Sequence, residues 1–333
     1  MRSVLVVVEH DRGAMAPATA EAMSAASELA ARLEVPLAAL TIGADADALS
    51  DDLAAIGVQY IYRAHHDVLT DYGPEAWGDA VAQAVRQLAP TVVLATGTDR
   101  GNEVLANAAA RLDLPFAANC TEFRPHEDDL ELTRVRWGGS LLEQAAIGGD
   151  VHLVTVTHHH FAPVQPGTPG VSTSGPTSGP TITDLDISID PALTRSVVVD
   201  RVEREAGVTL ATAPVVVGGG RGVGSADAFA PLEALAAALG GVVGCSRAVT
   251  NNGWRNHTDQ VGQTGTRIAP DVYFACGISG AIQHWVGAMA SKQIIAVNTD
   301  PEANMVTKAD YAVIGDLHEV VPAITEEIMR RRS

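Results

Sequence analysis

Short apolar runs rich in Val and Ile alternate with longer Ala-rich amphipathic stretches, and the alternation runs through the chain twice. A parallel strand buried on both faces reads as a short continuous apolar run, and each needs a crossover helix before the next. In the first half Val4–Val8, Leu37–Ile42, Val58–Tyr62, Val92–Ala95 and Val151–Val156 therefore read as strands. Helices fit over Ala18–Leu33, Pro74–Leu88 and Gly101–Leu112, the last with Val104, Leu105, Ala108 and Leu112 on one apolar face. The second half has strands at Val215–Val217, Val242–Val243, Val272–Ala275, Ile294–Val297 and Ala312–Ile314. Its helices are Ala226–Leu239, stopped by Gly240, then Gly280–Ala290, Pro301–Lys308 and Leu317–Met329. The fold class predicted is α/β, with two doubly wound, mostly parallel-sheet domains. Thr121–Ile147 departs from the pattern: alternation over Leu130–Arg136 followed by Gly138-Gly139 predicts antiparallel strands around a turn.

A chain of 333 residues is long enough for two cores. The segment from Pro163 to Thr181 is rich in Gly, Pro, Ser and Thr and reads as a flexible surface loop inside the first domain. The charged run Asp200–Glu205 is the better hinge, which places an N-terminal domain over 1–206 and a C-terminal domain over 207–333. His158, His159 and His160 follow Val156-Thr157 and read as a solvated surface run in preference to a metal site, because adjacent histidines in one strand point to opposite faces.

The net charge of −18 repels phosphate backbones and anionic membrane surfaces, so nucleic acid is not expected as a partner. Lys292 and Lys308 are the only lysines, and aspartates crowd Asp45–Asp52; this surface suits a salt-adapted cytoplasm. Cys120, Cys245 and Cys276 lie far apart and make neither a disulfide framework nor a CxxC motif. The N-terminus meets charge at Glu9, too early for a signal peptide, and no apolar stretch approaches the ~20 residues of a membrane span. A cytoplasmic protein without membrane insertion is expected.

In an open parallel sheet, ligands bind beyond the carboxyl ends of the strands. Those positions in the second half are rich in Gly, Ser, Asn and Asp. Gly218–Gly224 follows the first strand; it fits neither GxGxxG nor a Walker A loop, but glycines admit backbone N–H groups to a phosphate and Arg221 can fork onto one. A tight structural turn reads equally well. After Val272–Ala275 comes Gly277-Ile278-Ser279-Gly280-Ala281-Ile282-Gln283-His284, where Ser279 reads as the N-cap of a helix whose start favours an anion. Gly244-Cys245-Ser246-Arg247, Val261-Gly262-Gln263-Thr264-Gly265, Asn298-Thr299-Asp300 and Gly315-Asp316-Leu317 complete the set. Each alone is ordinary helix-start chemistry; together on one sheet edge they point to a ligand.

The succession GGGRGVGS, GCSRAV, DQVGQTG, APDVYFACGISGAIQH, IIAVNTDPEANMV and ADYAVIGDLHEVV resembles, in order, the C-terminal FAD domain of electron transfer flavoprotein alpha subunits. The first half resembles that family's N-terminal domain more loosely. The resemblance implies a Rossmann-like FAD domain in which Arg221, Ser279, Gly280 and Ala281 hold the phosphates and ribityl chain, with Ser246 nearby. It places Arg247, Gln263, Thr264 and His284 at the isoalloxazine ring, with Val261, Gly262, Ile282 and Gln283 beside them, and Asn298, Asp316 and Leu317 around the adenosine half. Arg247 and His284 would favour negative charge on the flavin. The implied protein is an electron carrier and no enzyme of its own, with no catalytic or metal-ligating residues. It pairs with a beta subunit that carries AMP, accepts electrons from acyl-CoA or related dehydrogenases and passes them to a quinone oxidoreductase. Where the family has Val-Arg-Pro-Gly after a first-domain strand, this chain has Val156-Thr157-His158-His159-His160.

Two other readings stand beside it. One is the FixB-type or electron-bifurcating branch of the same family. The other is a nucleotide-binding dehydrogenase or hydrolase of similar architecture, against which the failed GxGxxG and Walker A matches argue.

Overall fold

The computed structural model describes residues 2–164, 179–199 and 208–332. Two compact units are present, Met1–Trp137 with Leu141–Val202 and Gly138–Ser140 with Glu203–Ser333. The expected boundary near Ala206 and most of the Gly/Pro/Ser segment lie outside the described residues.

The first unit runs β1 (Val4–Val7), a small hairpin of β2 (His10–Asp11) and β3 (Ala14–Met15), α1 (Pro17–Leu33), β4 (Leu37–Ile42), α2 (Ser50–Ala55), β5 (Tyr60–Ala64) and α3 (Pro74–Leu88). It continues with β6 (Val92–Thr96), α4 (Asp99–Leu112), β7 (Phe116–His126), β8 (Asp129–Arg136), β9 (Leu141–Gly148), β10 (His152–Val156) and β11 (Thr181–Leu185). The nine-stranded sheet has the order β11-β5-β4-β1-β6-β10-β7-β8-β9. It is parallel except for the β7-β8-β9 meander. The apolar runs that predicted the central strands are buried throughout: β1, β4, β6 and β10 expose nothing. The alanine faces of α1 and α3 let those helices lie close over the sheet.

Two expectations change here. Thr181–Leu185, at the edge of the expected loop, pairs in parallel with β5 as the outermost strand. The histidines are not a strand continuation either. The strand β10 ends at Val156, residues 158–160 form a turn, and His159 takes φ 62, so His158 and His159 stack on one side over Glu21 of α1. At the topological switch point of this sheet, between β1 and β6, the Glu9 carboxylate accepts from the hydroxyls of Thr96 and Thr98. Side chains fill that position.

The second unit runs β12 (Val215–Gly219), α5 (Ala230–Leu239), β13 (Val242–Cys245), α6 (Arg247–Asn251), β14 (Val272–Cys276), α7 (Ile282–Ala288), β15 (Gln293–Asn298), α8 (Asn304–Lys308), β16 (Tyr311–Ile314) and α9 (Leu317–Arg332). Its five strands are all parallel in the order β13-β12-β14-β15-β16. One core lies under α5 and α9 around Phe229, Leu232 and Val321, and another under α7 around Tyr273, Ile278 and Met305. The three cysteines are free and buried. Among the described residues no helix is long and apolar enough to cross a membrane.

Candidate functional site

The chain leaves β12 toward β13 on one side, while β14, β15 and β16 lie on the other. Diverging crossovers open a crevice beyond the carboxyl ends of β12 and β14. A cleft of ≈ 490 Å³ occupies that position. It gathers Arg221 from the loop after β12, Ser246 and Arg247 after β13, Ser279, Gly280 and Ala281 after β14, Gln283 and His284 on α7, and Asn298 at the end of β15. Nine of the predicted positions thus line one cavity.

The glycine run after β12 works by packing. The N–H groups of Gly220 and Gly222 donate to the carbonyls of Cys276 and Gly277, so they tie two loops together and do not face a ligand. A Cβ on Gly218 would meet the Tyr273 hydroxyl at 2.4 Å. Of that run the cleft receives the Arg221 side chain. Arg221 and Arg247 are both exposed on its wall, and among the described residues neither has a carboxylate partner. In a chain of net charge −18, two such guanidinium groups converging on one cleft favour an anion.

Ser279 does not cap the helix. Gly280 takes φ +75 and a Cβ there would meet the Met305 backbone nitrogen at 2.3 Å, so the chain loops past α8 before α7 begins at Ile282. Ser279 is exposed at the cleft instead, and its carbonyl accepts from the Met305 N–H.

Two side chains of the wall hold a buried polar atom with no hydrogen-bond partner among the described residues, Ser246 at Oγ and His284 at Nδ1. The other nitrogen of His284, Nε2, lies 2.8 Å from the hydroxyl of Tyr273, which is fully buried in β14. Burial lowers the His284 pKa to about 4; the Val261 backbone pulls the other way, without meeting hydrogen-bond geometry at Nδ1. The imidazole is therefore neutral at pH 7. Burial holds the Tyr273 phenol well above its usual range, so it keeps its proton. If that proton goes to Nε2, the phenol is satisfied and Nδ1 carries the ring N–H; the opposite arrangement leaves the phenol proton unbonded in the core. The hydrogen-bond accounting thus assigns His284 as a neutral N–H donor on the cleft wall. Arg221 and Arg247 are then the cations of the wall.

The 261–265 loop is held against α7. Gln263 N–H donates to the Gln283 carbonyl at 2.7 Å, and Val261 N–H to the Cys245 carbonyl. Gln260, which sequence reasoning passed over, is buried and links the site inward: its Oε1 accepts from Thr250 Oγ1 at 2.8 Å and its Nε2 donates to Thr264 Oγ1 at 3.0 Å. Tyr273 was missed for the same reason: a polar end on an otherwise apolar buried residue has no pattern. Gln263 and Thr264 are exposed; they, Val261 and Gly262 lie in a loop pinned to α7 but not on the cleft lining.

Three predicted residues fall elsewhere. Ile282 is 56% exposed on the first turn of α7. Asp316 caps α9 by accepting from the His318 N–H, and Leu317 is buried in the core under that helix.

The matching family models and the similar curated proteins point to one family. Residues 4–185 match the family model described as "Electron transfer flavoprotein domain", and residues 209–289 match "Electron transfer flavoprotein FAD-binding domain". Relatives run the length of the chain. An electron transfer flavoprotein subunit alpha of Mycobacterium tuberculosis is 37% identical over 339 residues, covering 100% of both chains. One of Thermoanaerobacterium thermosaccharolyticum is 32% identical, covering 99% of this chain and 98% of its own. A protein named FixB of Azorhizobium caulinodans is 35% identical, covering 100% and 90%. The chain belongs to the electron transfer flavoprotein alpha subunit family, and its C-terminal unit carries that family's FAD-binding domain.

Proposed function

We propose that this chain is the FAD-holding half of a heterodimer that passes electrons from acyl-CoA or related dehydrogenases to a quinone oxidoreductase. A beta subunit, itself carrying AMP, completes it. The observation that carries the reading is the donor set of one cleft: among the described residues, Arg221 and Arg247 have no carboxylate partner, and Ser246 Oγ and His284 Nδ1 are buried without a hydrogen-bond partner. A buried polar atom without a partner costs about 1–3 kcal/mol, so a ligand that supplies acceptors and a diphosphate fits these walls.

FAD supplies the electron-accepting chemistry when bound. The chain's own residues bind and orient it. Arg221, Ser279, Gly280 and Ala281 hold phosphate and ribityl oxygens, with Ser246 donating its hydroxyl. Arg247 sets a positive charge beside the ring system, His284 donates from Nδ1, and Thr264, which already accepts from Gln260, keeps its own hydroxyl proton to give. Gln283 lines the same end and Asn298 the adenosine half, while Gln263, Val261 and Gly262 support that end from the loop pinned to α7.

The test is to co-express the chain with its beta subunit and purify the pair. It should be yellow and bleach when an acyl-CoA dehydrogenase and its substrate are added. A folded, colourless heterodimer, or a yellow one that no such dehydrogenase reduces, sinks the respective half of the proposal. The similarity to the protein named FixB is comparable to that to the mycobacterial subunit, so reduction by NADH in place of the dehydrogenase would move the assignment to that branch.

A further inference from the structure

The flavin site does not use Glu21, His158 and His159, which the first unit brings together from α1 and the turn after β10. Glu21 is a carboxylate only 9% exposed at its side chain, on a helix face otherwise lined by Ala and Leu. Its Oε2 accepts the His159 backbone N–H at 2.6 Å. That bond fixes the carboxylate and turns Oε1 toward both imidazoles. His158 Nε2 lies 3.8 Å from Oε1 and His159 Nδ1 3.6 Å from it, and the three donor atoms all fall within 4.8 Å of one another.

We infer that Glu21, His158 and His159 form a binding site for a divalent transition-metal ion, zinc being the best fit. A tetrahedral ion with N and O ligands at about 2.0–2.2 Å spaces its ligand atoms roughly 3.4 Å apart, so two of the three spacings are already within a few tenths of an ångström. The third spacing, between the two imidazole nitrogens, is within 4.8 Å, and the rings, stacked with centroids 3.6 Å apart at 26°, turn about their side-chain torsions on binding so that their lone pairs converge on the ion. Two neutral imidazoles and one carboxylate are a borderline donor set that suits zinc over calcium or magnesium, which prefer all-oxygen shells. The bond from His159 N–H to Oε2 is the outer contact that holds a ligating carboxylate in place. The left-handed turn at His159 is what makes the site: in an extended strand the two rings would point apart. The fourth position is open to water. The ion would clamp the turn to α1.

The flavin-loaded heterodimer, stripped with a chelator and dialysed, is titrated with zinc chloride by calorimetry while its thermal unfolding is followed. One zinc per heterodimer is expected to bind and to raise the melting temperature. Glu21→Gln and His158→Ala should each weaken binding at least 10-fold, while His160→Ala, which alters an exposed ring set edge-to-face against Phe161, should change nothing. Because Glu21→Gln disturbs the turn itself, His158→Ala is the deciding variant. No zinc uptake by the wild type overturns the inference. So does binding that survives His158→Ala and is lost in His160→Ala, since that is casual chelation by a surface histidine.

Discussion

The hydroxyl of Tyr273 lies 2.8 Å from His284 Nε2, and both side chains are buried behind the cleft. A residue that never reaches the cavity thereby decides which nitrogen of a cavity residue bears the proton. Tyr273→Phe keeps the ring but leaves Nε2 unpaired in the core. A loss of about 1–3 kcal/mol in unfolding free energy is expected, with weaker flavin retention. Urea denaturation of the holoprotein and the flavin-to-protein ratio check it; an unchanged ratio would mean that the dyad does not set the donor.

Gly218 sits where a side chain would enter the space of that same hydroxyl. Gly218→Ala places a methyl 2.4 Å from the Tyr273 oxygen, with ring carbons close behind at 2.7 and 2.8 Å. Overpacking of this kind costs typically about 1–3 kcal/mol. Combined with Tyr273→Phe, the loss should be less than the sum of the two, because the second change removes the nearest of the three atoms the first collides with. A double-mutant cycle by denaturation measures the difference.

Acid should destabilise the C-terminal unit through His284. Its folded pKa of about 4 lies below the unfolded value near 6.5, so between those values the unfolded chain binds the extra proton. Stability is therefore full above about pH 6.5, falls as pH drops through the window, and levels off below about 4, a total of about 3 kcal/mol. In His284→Gln that step should be missing from the difference between pH 7 and pH 4.5 denaturation curves.

The two arginines should separate by readout. Arg221→Gln removes a charge-assisted contact to phosphate and should weaken flavin binding by roughly 10- to 100-fold. Arg247→Gln should cost less in affinity and instead move the reduction potential about 50 mV more negative, because a cation near the ring favours the reduced, negatively charged flavin. Fluorescence of released flavin and a dye-equilibrated redox titration tell them apart. Equal effects on both measurements would contradict the division between phosphate and ring.

The strands were legible wherever burial was two-sided. Val4–Val7, Leu37–Ile42 and Val92–Thr96 are sealed on both faces and carry the apolar runs that parallel pairing demands. The strand β11 escaped because four of its five residues are exposed, and a strand that buries almost nothing leaves no hydropathy signal. The ligand edge of the second sheet was visible from the order of its loops, but not the division of labour within it. The Gly220 and Gly222 N–H groups looked available and are spent on the neighbouring loop, while Ser279 looked like a cap and is displaced by the left-handed turn at Gly280. Those outcomes depend on contacts between loops 25 to 56 residues apart, Gly280 with Met305 and Gly220 with Cys276, which periodicity does not encode. The histidine turn was misread for a related reason: one positive φ at His159 reverses the facing rule that holds along a strand.

The cleft is assembled from segments that follow four different strands, β12, β13, β14 and β15. A ligand that touches all four acts as a staple, and mass action makes its binding energy part of the unit's resistance to opening. Chains made when flavin is scarce would then spend more time open and be cleaved by proteases sooner. The abundance of this subunit would follow the supply of its vitamin precursor without any change in gene expression.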